Sequence, residues 1–104
     1  MTENFNDGYN QGLTDHEHLQ YSEISGLDEQ YLAGYSVARA KISCEKACDT
    51  NSFPYFLGLY VGYYGIDERL MDGHYSQERQ DIFQSGLIDG KDGNVRENQE
   101  EYCD

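Results

Sequence analysis

Two glycine pairs at helical spacing constrain this chain more than any other feature. Gly8 and Gly12 lie four residues apart, and so do Gly58 and Gly62. Residues four apart share one face of an α-helix, and a glycine inside a helix costs roughly 1 kcal/mol relative to alanine. Four such costs need compensation. A face without side chains lets a second helix, or an aromatic ring, approach the backbone closely, so we predict glycine-lined helix contacts.

The surroundings of the two glycine pairs also resemble each other. Residues 5–8 recur as 55–58 at an offset of 50, and residues 31–34 recur as 83–86 at an offset of 52. Tyr21-Ser22 has a counterpart 54 residues later. We predict a tandem duplication within a single domain. Chance similarity in a chain rich in glycine and tyrosine is the alternative. The repeat-like halves are 1–45 and 52–90 of the domain 1–104.

Hydrophobic periodicity predicts an all-α protein. Each half is expected to be a helical hairpin, so the chain would hold two tandem hairpins. Ser52 is placed to cap the third helix, with Pro54 in its first turn, where the missing N–H costs nothing. The predicted helices cover residues 3–14, 28–43, 53–71 and 76–88. A loose acidic tail, residues 91–104, is expected to follow.

Charge limits the functions open to this chain. Twenty acidic residues face seven basic ones, for a net charge of −13, and the first basic residue is Arg39. Such a surface repels phosphate backbones and anionic membranes and attracts basic partners. We expect no direct binding to nucleic acid and no membrane association. The chain has no apolar run long enough to span a bilayer and no signal-peptide pattern, and its three cysteines are an odd number. These features favour the cytoplasm of a bacterial host cell.

The acids lie on and between the predicted helices, interleaved with tyrosines that could anchor a contact. Duplex DNA carries one negative charge about every 1.7 Å of its axis, so a helical body bearing carboxylates can occupy a basic groove built for nucleic acid. We expect a small inhibitor of a nucleic-acid-handling protein, of the phage or mobile-element type that acts against restriction or CRISPR. The alternative is that the acids only keep the protein in solution. The predicted partner-binding residues are Asp7, Asp15, Glu17, Glu23, Asp28, Glu29, Asp67, Glu68, Asp72, Glu78, Asp81, Tyr9 and Tyr21.

No motif for catalysis or cofactor binding stands out. Cys44 and Cys48 lie four residues apart, so on a helix they would share a face, but they lack the second ligand pair usual in structural zinc sites. The His16-Glu17-His18 segment lacks a third nearby ligand, and residues 88–100 place too few carboxylates for a calcium loop. We therefore expect a protein that is not an enzyme and binds no metal or cofactor. The glycine-lined faces and the tyrosines are compatible with a homodimer.

One segment resembles a known family. Gly8-Tyr9-Asn10-Gln11-Gly12, followed by Tyr31-Leu32-Ala33-Gly34-Tyr35 and Ala38, is similar to the ribosome modulation factor family, and Gly58 to Gly86 repeats the spacing. The resemblance implies a short helical hairpin, here present twice. Members of that family are basic and bind ribosomal RNA at the small subunit, whereas this chain is acidic and lacks their Cys-Pro. The inverted charge indicates a different partner. The alternative function is a ribosome- or RNA-associated regulator.

Overall fold

The computed structural model describes residues 4–15 and 27–92, and the regular elements of this part are all helical. The all-α prediction is therefore confirmed. The four α-helices are α1 (Phe5–Thr14), α2 (Glu29–Lys46), α3 (Phe53–Tyr64) and α4 (Gln80–Lys91). Short 3-10 turns cover Thr50–Ser52, Glu68–Met71 and Gln77–Arg79. The predicted tail begins at Lys91, which is the last residue of α4, and residues 93–104 lie outside the described residues.

Local sequence explains where the first two helices begin. The Asn4 side chain accepts a hydrogen bond from the Asp7 N–H at 3.1 Å, and the Asp28 side chain accepts one from the Gln30 N–H at 2.7 Å. Short polar side chains at this position satisfy N–H groups that have no partner in the first turn. Ser52 occupies the corresponding position of α3 without a side-chain capping bond, and Pro54 lies in the first turn as predicted.

The predicted third helix is too long, because α3 ends at Tyr64 and not at residue 71. Gly65 adopts a left-handed conformation (φ +72°), and the N–H groups of Gly65 and Ile66 both donate to the Val61 carbonyl. Glycine takes this conformation without steric cost and commonly ends a helix. The fourth helix is also later than predicted, since Ser76 caps the 3-10 turn Gln77–Arg79 and α4 follows it.

The glycine-lined contact between α1 and α2 is confirmed. A Cβ atom added to Gly8 would overlap the Tyr31 carbonyl, and one added to Gly34 would overlap the Phe5 carbonyl. At Gly12 an added Cβ would lie 2.7 Å from the Ala38 Cβ and 2.9 Å from the Tyr35 carbonyl oxygen. The two backbones therefore touch, and the neighbour is a helix backbone and not an aromatic ring.

The contact between α3 and α4 repeats this pattern position by position. Gly58, 50 residues after Gly8, faces the Phe83 carbonyl, 52 residues after Tyr31. In the same way Gly62 faces Leu87, and Gly86 faces Tyr55. Residues of α1 map onto α3 at an offset of 50, and those of α2 map onto α4 at an offset of 52. The offsets seen in the sequence are therefore those of a structural repeat of helix pairs.

The two helices of each pair run in the same direction. Gly8 lies against Tyr31 and Gly12 against Tyr35, so residue numbers rise together along the contact. Gly58 with Phe83 and Gly62 with Leu87 show the same order. Neighbours joined by a short turn would be antiparallel. The tandem arrangement of helix pairs thus holds, with parallel helices in each pair.

The pairs join through α2 and α3, which are antiparallel. The Ser43 and Tyr60 hydroxyls are hydrogen-bonded at 3.2 Å, and the rings of Tyr35 and Tyr64 meet edge to face at 6.1 Å. The core is built around this contact, and its fully buried side chains include Tyr35, Leu57, Tyr60, Val61, Met71 and Phe83. No helix in the described part of the chain is both long enough and apolar enough to cross a membrane.

Candidate partner-binding surface

The predicted partner-binding acids fall into two groups along the chain. One group belongs to α1 and to the start of α2, and the other follows α3 and continues into α4. Seven of these acids are exposed, namely Asp7, Asp28, Glu29, Glu68, Asp72, Glu78 and Asp81. Acids at the first turn of a helix are stabilised by its dipole, which accounts for Asp7, Glu29, Glu78 and Asp81. Local helix chemistry therefore places these carboxylates at the surface.

The two groups of acids meet where the helix pairs meet. The Glu29 carboxylate, at the start of α2, accepts a hydrogen bond from the Asp67 N–H at 2.8 Å. Glu68 accepts a hydrogen bond from the Gln84 side chain of α4 at 3.2 Å. Ring stacking adds a second link, because His74 lies parallel to Phe5 of α1 with ring centres 5.5 Å apart. The structure thus brings Glu29 of the first group into contact with Asp67 of the second.

Asp67 is the predicted acid whose charge is most compensated by a neighbour. It caps the turn Glu68–Met71 and forms an ion pair with Arg69 at 2.8 Å. The Arg69 hydrogen bonds hold the pKa of this carboxyl below its usual range. Both partners are solvent-exposed to a large extent, and ion pairs at such sites contribute little to stability. Asp67 presents less free charge to a partner than its exposed neighbours do.

Asp15 and Tyr9 are predicted binding residues that also serve the first helix pair. The Tyr35 hydroxyl donates to the Asp15 carboxylate at 2.7 Å, and the Gln11 side chain donates to its other oxygen. The Tyr9 ring is half-buried and stacks with Phe5 at 6.4 Å. Three more predicted residues, Glu17, Tyr21 and Glu23, lie outside the described residues.

The outer face of α1 forms an open groove, which the charge pattern and the motifs of the sequence do not indicate. The groove measures about 420 Å³, and its lining comprises Asp7, Asn10, Gln11, Thr14 and Tyr31. The four α1 side chains are exposed. The internal repeat contained a signal for this face. At an offset of 50 these four positions correspond to the apolar and aromatic residues Leu57, Tyr60, Val61 and Tyr64 of α3.

The cysteine and histidine candidates gain no ligand set in the described residues. Within 4–15 and 27–92 no group of three or more His, Cys, Asp or Glu side chains could hold a metal ion. Cys44 is a free, buried thiol, and burial raises its pKa, with the neighbouring acids Glu45 and Asp49 adding to the effect. A raised pKa keeps the thiol protonated and unreactive. His16 and His18 lie outside the described residues.

Comparison with known proteins adds no relative. No protein-family model, no curated protein and no solved structure matches this chain.

Proposed function

We propose that this chain binds and inhibits a basic protein that handles nucleic acid. Its carboxylates would occupy the positions at which that protein binds phosphate groups. The observation that carries the proposal is the exposure of seven of the predicted acids in a chain of net charge −13. A surface of this sign accelerates encounter with cationic partners and disfavours nucleic acid itself. Inhibitors of restriction or CRISPR systems are the class of protein that this combination of size, helical content and charge favours.

The arrangement of the acids supports the proposal further. They sit on helix starts and on the connection between α3 and α4, so rigid elements hold many of them. The Glu29 carboxylate ties the two groups of acids to each other by accepting a hydrogen bond from the Asp67 N–H, and Glu68 accepts one from Gln84 within the second group. A rigid array of carboxylates binds a cationic groove at a smaller entropic cost than a flexible acidic segment does.

The test is affinity capture with the full chain, followed by measurement of binding to the captured protein. The variant Asp28→Asn, Glu29→Gln, Glu68→Gln, Asp72→Asn, Glu78→Gln, Asp81→Asn removes six charges at exposed positions. Its control exchanges Asp and Glu at the same six positions, which keeps every charge. We expect the neutralised variant to bind at least ten times more weakly and the control to bind like the parent.

Salt dependence provides the second measurement. Exposed charges are screened over roughly 8 Å at physiological ionic strength, so affinity for the captured protein should fall steadily as salt rises. Equal binding by the neutralised variant and the control would overturn the proposal. Recovery of ribosomal subunits, with affinity for their RNA, would replace it by the ribosome-associated alternative.

A further inference from the structure

The outer face of α1 corresponds, at an offset of 50, to the face of α3 that packs against α2. In the second pair, Leu57, Tyr60, Val61 and Tyr64 are buried in α3, and Tyr60 and Tyr64 contact Ser43 and Tyr35 of α2. The equivalent α1 positions carry Asp7, Asn10, Gln11 and Thr14 and are exposed. One face of the repeat therefore receives a helix in one copy and faces solvent in the other.

The backbone framework of this face is the same in both copies. The glycines that join α1 to α2 and α3 to α4 make equivalent contacts in the two copies, and they lie on a different part of each helix surface from the faces just described. Tyr31 of α2 also lines the α1 groove, and its side chain is half-buried. The open groove is thus bordered by α1 and by an aromatic residue of α2, and helices pack against exposed helix faces of this kind.

The chemistry of the groove selects the helix that would fit it. The Asp7 carboxylate and the Asn10 amide make no hydrogen bond or ion pair with other side chains in the described part of the chain. Their oxygen atoms are acceptors for guanidinium and ammonium groups. Because the four side chains are polar, an apolar helix would leave them desolvated and unsatisfied.

A second copy of this chain does not supply the occupant. The α2 surface that complements α3 is already covered by α3. At an offset of 52, Tyr35 and Arg39 of α2 correspond to Leu87 and Lys91 of α4, and two copies meeting there would each carry a net charge of −13. Like charges facing each other oppose association.

We propose that the groove of Asp7, Asn10, Gln11, Thr14 and Tyr31 seats a cationic α-helix of the partner protein. This inference rests on the proposed function and narrows it, because it assigns part of the recognition to one helix face and one type of occupant. The remaining exposed acids then steer the approach, and the groove determines the register of the bound helix.

The experiment uses full-length ¹⁵N-labelled protein and two synthetic 18-residue peptides of equal charge. One is alanine-based and helical with arginine at i, i+4, i+7 and i+11, and the other has the same sequence except that central alanines are replaced by prolines, which break the helix. We expect the helical peptide to shift the amide signals of residues 7–14 and Tyr31. It should bind at least five times more tightly than the proline-broken peptide.

Matched variants separate the groove from the general charge. Asp7→Ala with Asn10→Ala should weaken binding of the helical peptide at least fivefold. Asp81→Ala with Ser85→Ala removes the same charge from exposed positions of α4 and should change affinity less than twofold. Circular dichroism checks that both variants remain folded.

Three results would overturn the inference. Equal weakening by both variants would mean that binding is diffuse, and equal affinity for the two peptides would mean that the occupant is not a helix. Signal shifts on the same face that depend on protein concentration without peptide would identify a second copy as the occupant. Each of these results leaves the six-charge experiment unaffected, so the proposed function and this inference can fail separately.

Discussion

The two helix pairs use the same backbone contact but complete their ends differently. In both pairs, glycines let helix backbones touch, at positions related by offsets of 50 and 52. At the end of α1 the buried Arg39 of α2 donates to the Gly12 carbonyl at 3.0 Å and to the Asp15 carbonyl at 2.6 Å. At the end of α3, the left-handed Gly65 instead donates its own N–H to the Val61 carbonyl. Lys91, the equivalent of Arg39, is exposed.

This difference shows which features the repeat requires. Carbonyl groups at a helix end need donors, and either a side chain from the neighbouring helix or a left-handed glycine can provide or arrange them. Three glycine positions of each pair admit no such choice, since an added Cβ would lie within 3.0 Å of a main-chain oxygen in both pairs; the fourth is Gly90 in one pair and Ala38 in the other. The close backbone contact is therefore the common element, and the helix ends are free to diverge.

The largest expected effect comes from Arg39→Met. Two carbonyls at the end of α1 would lose their charged donor, and hydrogen bonds to charged groups contribute roughly 1.5–3 kcal/mol each. We expect the free energy of unfolding to fall by about 2–4 kcal/mol, because water can replace part of the loss. The equivalent change Lys91→Met should stay within about 0.5 kcal/mol. Urea unfolding of both variants checks this, and equal effects would show that the two ends do not differ in the way described.

An intermediate effect is expected from Gly90→Ala. Its added Cβ would overlap the Leu59 carbonyl, whereas the equivalent position of α2 is already alanine, Ala38. Overpacking costs about 1–3 kcal/mol, and the overlap with a main-chain carbonyl places Gly90→Ala in the upper half of that range; alanine recovers about 1 kcal/mol of helix propensity, so we expect a net loss of about 1–2 kcal/mol. Ser85→Ala, at an exposed position of the same helix, is the control. A Gly90→Ala variant as stable as the parent would mean that α3 and α4 can separate enough at this end to admit a Cβ atom, as α1 and α2 do at Ala38.

The smallest effect concerns pH and the Tyr55 hydroxyl. Burial and the hydrogen bond to Asp89 raise the pKa of Tyr55 to about 12, against about 10 in an unfolded chain. Because the folded state holds this proton more tightly, its stabilising contribution is complete below pH 10 and is lost as pH rises from about 10 to about 12. The equivalent residue of the first pair is Phe5, which has no hydroxyl.

Tyr55→Phe removes this group from the second pair. We expect a constant loss of about 1 kcal/mol at neutral pH from the missing hydrogen bond, and a shallower fall of stability between pH 10 and 12. Urea unfolding at a series of pH values measures both. An unchanged slope in that window would contradict the raised pKa of Tyr55, since the loss at neutral pH reports the hydrogen bond and not the ionisation of the hydroxyl.

Local features of the fold could be predicted from the sequence, and nonlocal ones could not. Glycine spacing identified the contact faces, and Pro54 with Ser52 located the start of α3, because these signals act within a few residues. Gly65 ended α3 earlier than hydrophobic periodicity suggested, since one left-handed glycine overrides the apolar residues that follow. The shared direction of the paired helices depends on contacts between distant residues, which spacing does not record.

The candidate surface shows the same division. The exposure of Asp28 and Asp81 follows from their positions at helix starts and was predictable. The internal hydrogen bonds of Asp15 were not, because Tyr35 reaches it from 20 residues away. The α1 groove became visible when the two halves were compared at an offset of 50, which contrasts Asp7 with Leu57 and Thr14 with Tyr64.

Because contacts between main chains hold each helix pair together, the outward-facing residues contribute little to the stability of the pair. Their identity can then change, even to the opposite charge, while the architecture persists. A designer could exploit this independence by grafting a new recognition surface onto the same pair of helices. Natural selection has the same freedom, so one scaffold of this kind can serve targets of unlike chemistry.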